Sequence, residues 1–129
     1  MPRTITPASI GAPSAAYSHA ILVPPGASLL FTSGQLGVLP DGSAPPGIEA
    51  QAALCFENIG TILREAGMDF SHVVRFNAFV TERAHFPVYR AVRARYVPGS
   101  AFASTLVMVP SFARPELLVE VEVTAARLV

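Results

Sequence analysis

The sequence predicts an α+β fold, a mostly antiparallel sheet with two helices packed on one of its faces. Three observations predict it. Several short segments alternate apolar and polar residues with the period of two that a strand imposes, most plainly Val119-Glu120-Val121-Glu122-Val123. Two longer segments carry apolar residues at spacings of three and four, the mark of a helix with one buried face. The order of these segments is β-β-(β)-α-β-α-β-β, in which the opening and closing strands look like hairpins.

The elements follow in order. Residues 1–14 are rich in Pro, Ala and Ser and read as an extended arm. Residues 16–23 and 28–35 read as two strands joined by the turn Pro24-Pro25-Gly26-Ala27, and residues 36–39 as a short third. Ile48, Ala52, Cys55, Ile59, Ile62 and Ala66 make one apolar stripe, with Gly67 placed as a C-terminal cap. Residues 72–80 read as a strand with Val74, Phe76, Ala78 and Val80 on one face. Residues 85–97 read as a second helix with Pro87 in its first turn and Val88, Val92 and Tyr96 as its stripe. Residues 103–109 and 117–127 are the last two strands, with 110–115 as the loop between them.

The chain of 129 residues suits a single domain spanning 1–129. It is 51% hydrophobic and only 14% charged, with a mean hydropathy of +0.46. A small domain leaves much of its surface in water, so this composition implies surface hidden between copies of the chain. No run approaches the ~18–20 apolar residues that span a bilayer, and Met1-Pro2-Arg3-Thr4 lacks the basic-then-apolar pattern of a secretory leader. The expectation is a cytoplasmic homo-oligomer that does not enter a membrane.

Formal net charge is zero, and all nine basic residues are Arg. The absence of Lys excludes a Schiff-base lysine mechanism. Arg90, Arg93 and Arg95 are the one basic cluster, and a helix would fan them around its axis, so nothing resembles a nucleic-acid footprint. Cys55 is the single cysteine and lies on the first helix's apolar stripe, which reads as a buried structural thiol. His19, His72 and His85 lack the paired spacing of zinc ligands, and no metal is expected.

In the closing strand, Val119, Val121 and Val123 share a core face, and Glu120 and Glu122 share the other. Those carboxylates are either a wet strand face or the lining of a site.

Several segments resemble one family in order along nearly the whole chain. Phe31-Thr32-Ser33-Gly34-Gln35-Leu36-Gly37 resembles the segment after the second strand of the Rid (YjgF-type) reactive-intermediate deaminases. Ala50-Gln51-Ala52 through Asn58-Ile59 and Ala66-Gly67 resembles their first helix, Leu117 to Val123 their closing strand, and Tyr17-Ser18-His19-Ala20 the position of their N-terminal aromatic. The resemblance implies a chorismate-mutase-like fold and a homotrimer with clefts between subunits. It implies hydrolysis of small reactive enamines and imines, such as 2-aminoacrylate, to 2-oxo acids and ammonia, with no metal or organic cofactor.

On that resemblance Glu120 orients or activates the attacking water, and burial at an interface would raise its pKa. Glu122 is assigned a structural or surface role. Ser33 donates to a carboxylate or carbonyl oxygen, Gly34 admits backbone close to the ligand, and Tyr17 closes the cleft from a neighbouring subunit. For Ser33 and Gly34 the alternative is a simple strand-end turn, and for Tyr17 an ordinary interface aromatic.

One departure stands out. Deaminases of this family carry an Arg on the penultimate strand that holds the substrate carboxylate. Ser104 occupies that position, followed by Thr105 and Leu106 in the binding wall, and Leu106 replaces a family cysteine. Losing a charge-assisted fork costs roughly 1.5–3 kcal/mol of carboxylate binding. Arg90, at the second-helix position where relatives carry an Asn near the site, is the proposed replacement cation; its alternative is a solvated helix-face Arg. Arg114 is a weaker one. The residues thus leave two functions: a divergent enamine or imine hydrolase, and a trimer that binds a small metabolite without turning it over. A ribonuclease role is disfavoured by zero net charge, no Lys and no catalytic His pair.

Overall fold

The structure is a computed structural model and describes residues 2–128; Met1 and Val129, the ends of the expected domain span, lie outside the described residues. Seven strands and two helices run in the order β1 (Arg3–Ile5), β2 (Ala20–Leu22), β3 (Ala27–Phe31), β4 (Gln35–Leu36), α1 (Ile48–Glu65), β5 (Val73–Val80), α2 (His85–Tyr96), β6 (Ala103–Met108) and β7 (Val119–Leu128). The main sheet has the order β3-β7-β5-β6, with β4 also paired to β7. All of its pairings are antiparallel except β5 with β6. The fold is α+β, two helices on a mixed, mostly antiparallel sheet, as the residue pattern predicts.

The helices cover one sheet face. On β7 that face is Val119, Val121, Val123 and Ala125, and on β5 it is Phe76, Ala78 and Val80, all buried. They pack on Ala52, Cys55, Phe56, Ile59 and Leu63 of α1 and on Tyr89 and Val92 of α2. Phe56 is the hub, with ring centroids of Phe76, Tyr89 and Tyr96 within 5.3–6.0 Å. Cys55 is fully buried with its Sγ 3.8 Å from the Val119 carbonyl, and burial pushes its thiol up to about 12, which makes it a packing residue.

Three expectations are corrected. The strands flanking Pro24-Pro25 do not pair with each other. β2 pairs instead with β1, part of the expected arm, while β3 pairs with β7. Two consecutive prolines supply no N–H to a ladder, so the chain changes sheets there. The closing strands are not a hairpin either. α2 provides the crossover that makes β6 a parallel neighbour of β5, and β7 then inserts between β5 and β3. Finally, the buried stripe of α2 is His85, Tyr89, Val92 and Arg93, whereas Val88 and Tyr96 are half-buried. Val92 belongs to both stripes, so the face is turned by about half of the ~100° that separates successive residues.

Gln51 ties α1 to both flanking loops. Its side chain is buried; Nε2 donates to the carbonyls of Pro45 (3.0 Å) and Glu116 (2.9 Å), and Oε1 accepts from the N–H of Leu118 (2.8 Å). Gly37 makes this possible, because a Cβ there would stand 2.6 Å from the Gln51 carbonyl oxygen. Replacing Gln51 with Leu removes three bonds and strands three backbone groups. A loss of about 2–4 kcal/mol is expected at roughly 0.5–1.5 per bond, read by urea unfolding.

Candidate functional site

The predicted site residues fall into two groups on opposite faces of the sheet. Glu120 opposes Phe79 across the β5–β7 ladder, on the face that no helix covers. Beside it, Thr32 exchanges bonds with Val123: its N–H donates to the Val123 carbonyl and its Oγ1 accepts from the Val123 N–H, both at 3.0 Å. That clamp carries Ser33 and Gly34 over the strand between β3 and β4. A Cβ on Gly34 would stand 2.8 Å from Oε1 of Glu120 and 2.5 Å from its carboxyl carbon. The glycine is therefore the residue that lets backbone lie against this carboxylate. Ser33 is exposed, and its carbonyl accepts from Gln35 Nε2 at 3.3 Å.

Partial burial, and then the negative charge of Glu122 on the same face, raise the pKa of Glu120 above the ordinary carboxylate range. A carboxyl so placed can hold or release a proton closer to neutrality, as proton-shuttling to a bound water requires.

The second group lies between α2, β6 and the segment before β2. Ser104 opposes Phe76 and Leu106 opposes Ala78 in the β5–β6 ladder, so both face the helices. Together with Ser14, Ala15, Tyr17, Phe86, Arg90 and Arg93 they line a pocket of about 170 Å³. Tyr17 reaches it from the same chain. Thr105 opposes Asn77 and faces the other way, into a shallow depression beside Arg75. Arg90 is half-buried at the pocket; Arg114 is ion-paired to Glu116 at 3.0 Å and donates to the Gly42 carbonyl.

Arg93 is the pocket residue that sequence reasoning missed. It is 3% exposed; Nη1 donates to Ser104 Oγ (3.0 Å) and Nη2 to the Ala16 carbonyl (3.2 Å), and its guanidinium carbon lies 4.8 Å from the Phe102 ring centroid. The available signal was its spacing: Arg93 follows Tyr89 by four and His85 by eight, which puts it on the true inner stripe. Arg95, by contrast, is exposed and pairs with Glu49.

Among the described residues no group of three or more His, Cys, Asp or Glu could hold a metal ion. Among the same residues no helix is long and apolar enough to cross a membrane.

Two helices on a mixed sheet with a closing Glu-bearing strand define an α+β domain of the Rid type. The chain belongs to the Endoribonuclease L-PSP family, the YjgF/Rid proteins, which it matches over residues 8–127. Among solved structures it is similar to a Rid-family protein of unknown function, YyfB, from Yersinia pestis (TM-score 0.84, 29% identity, 98% of each chain). It is also similar to RidA from the Antarctic bacterium Psychrobacter sp. PAMC 21119 (TM-score 0.73, 31% identity, 90% of this chain and 92% of that one). In sequence it is 30% identical over 126 residues to the 2-iminobutanoate/2-iminopropanoate deaminase of Mus musculus, covering 96% of this chain and 87% of that protein.

The raised pKa of Glu120 has a consequence for stability. Its ionisation costs more in the folded chain than in the unfolded one. That cost is absent below the unfolded value near 4.5 and complete above the raised folded value. The Glu120→Gln protein should therefore melt above the parent at pH 7, with the difference closing as pH falls through the carboxylate range, read by thermal melts across pH.

Proposed function

We propose that this protein is a divergent Rid-family hydrolase that deaminates small reactive enamines and imines to carbonyl compounds and ammonia. Family membership and the likeness to the mouse deaminase support the reaction class. The observation that carries the reading is the Glu120 carboxyl, with a raised pKa, held against the Cβ-free Gly34. An enamine tautomerises to its imine, and water then adds to the C=N carbon. Glu120 accepts the water proton and returns it to nitrogen. The carbinolamine collapses to C=O as the C–N bond breaks and ammonia leaves.

Glu120 and the pocket at Ser104 do not meet within one subunit, since they face opposite sides of the sheet. The reading is therefore a homotrimer whose clefts lie between subunits. Leu29, Phe31 and Val107 are exposed on the uncovered sheet face, and an apolar face of that kind favours cover by further copies. Tyr17, Arg90, Ser104 and Leu106 would bind the ligand on one side, Ser33, Gly34 and Glu120 on the other, with Thr105 at the rim. No cofactor, nucleic acid or membrane takes part, and the cytoplasm is the expected compartment.

A second reading, a trimer that binds a small metabolite without turnover, is favoured by one observation, the serine at position 104. Generating 2-aminoacrylate in a coupled assay and following ammonia separates the two. The hydrolase accelerates release, and Glu120→Gln lowers kcat about 10²-fold or more; no acceleration at stoichiometric protein removes the reading. Phe31→Asp should shift the sedimentation of the oligomer toward monomer and lower activity with it.

A further inference from the structure

Arg93 is, among the described residues, the buried arginine, and no carboxylate of those residues pairs with it. A guanidinium removed from water without an anion is unfavourable unless something compensates. The compensation present is partial: two neutral acceptors, the rings of Phe102 and Tyr89, and a place in the last turn of α2, where the helix dipole favours a cation. None of these carries a formal negative charge. Of the five N–H donors in the guanidinium, the bonds to Ser104 and Ala16 use two.

The cation also borders an opening. Arg93 lines the 170 Å³ pocket with Arg90, and neither Asp nor Glu is in that wall, so its formal charge is twofold positive. Tyr17 and Ser104 add hydroxyls, while Phe86 and Leu106 add an apolar side. At a liquid share of ~30 Å³ per water, the space is that of about half a dozen waters, the size of a short organic acid. A free phosphate would use the cations but leave the apolar side unfilled.

We propose that Arg93, held in place by Ser104 and the Ala16 carbonyl, is the anion-binding cation of this pocket, and that its ligand is a small carboxylic acid with a short apolar chain. Arg90 supports it from the pocket rim. The role of Ser104 changes accordingly: it is the acceptor that orients the guanidinium of α2. The inference deepens the deaminase reading and uses it only to choose a probe.

The test is calorimetric titration of the oligomeric protein with 2-oxobutyrate, its methyl ester and inorganic phosphate. The acid should bind best, the ester about ten- to a hundredfold more weakly, as expected for a lost charge-assisted bond, and rising salt should weaken the acid alone. Arg93→Met should erase the preference for acid over ester, Arg90→Ala should reduce it, and Arg93→Met/Ser104→Arg, which returns a cation from the strand, should restore it. Equal binding of acid and ester by the parent protein, no binding of the acid, or an undiminished preference in Arg93→Met overturns the proposal. The acid–ester and salt comparisons need no variant, so a misfolded Arg93→Met still leaves a decision. Arg93-dependent binding without ammonia release would sink the deaminase reading and leave this one standing.

Discussion

β7 is hydrogen-bonded along both edges, to β3 and β4 on one side and β5 on the other, and the rest of the subunit is arranged by its two faces. Its valines fill the core beneath α1 and α2. Its glutamates are left on the face without a helix. Because side chains alternate at each residue, a slip of one position would bury Glu120 and Glu122 and expose Val119, Val121 and Val123. The hydrophobic cost of that exchange pins the register, and the register pins Glu120 opposite Phe79 and under Gly34. The carboxylate thus owes its position and its raised pKa to the core packing on the other side of the same strand.

A second constraint comes from the edge. β6 can lie parallel to β5 only because α2 crosses between them, and that crossing brings the inner stripe of α2 over Ser104. A short hydroxyl at 104 leaves room for a long side chain to arrive from the helix, and Arg93 fills that room. An arginine on the strand and one on the helix would place two like charges within hydrogen-bond reach, so the serine and the buried guanidinium form one arrangement. The cation that β6 lacks when read alone is supplied by the helix packed on it.

Much of this was legible in the residues. The helix 48–65, the strand 73–80 and the alternating closing strand all stand near their predicted bounds, because each carries a long periodic pattern whose buried face is also its core face. Ser33 and Gly34 lie in one family-like segment and Glu120 in another, and the structure sets Gly34 against the Glu120 carboxylate. The pairing of β2 with β1 was not legible, since a three-residue strand has too little pattern to name its partner. The inner face of α2 was misjudged for a related reason. His85, Tyr89 and Arg93 are amphipathic, with apolar bodies and polar tips, and a stripe sought among aliphatic residues passes them by.

The sequence by itself determined the class of fold, the two helices, the two faces of the closing strand and the family, because these follow from local periodicity and from motifs contiguous in the chain. Only the tertiary structure decided which strands are neighbours, that Glu120 and Ser104 face opposite sides of the sheet, and that the cation at Ser104 comes from α2. Those facts depend on contacts between residues far apart in sequence, such as Arg93 with Ala16. A guanidinium on a helix is ordinarily solvated; what buried this one was the packing of α2 against β6 and the chain before β2.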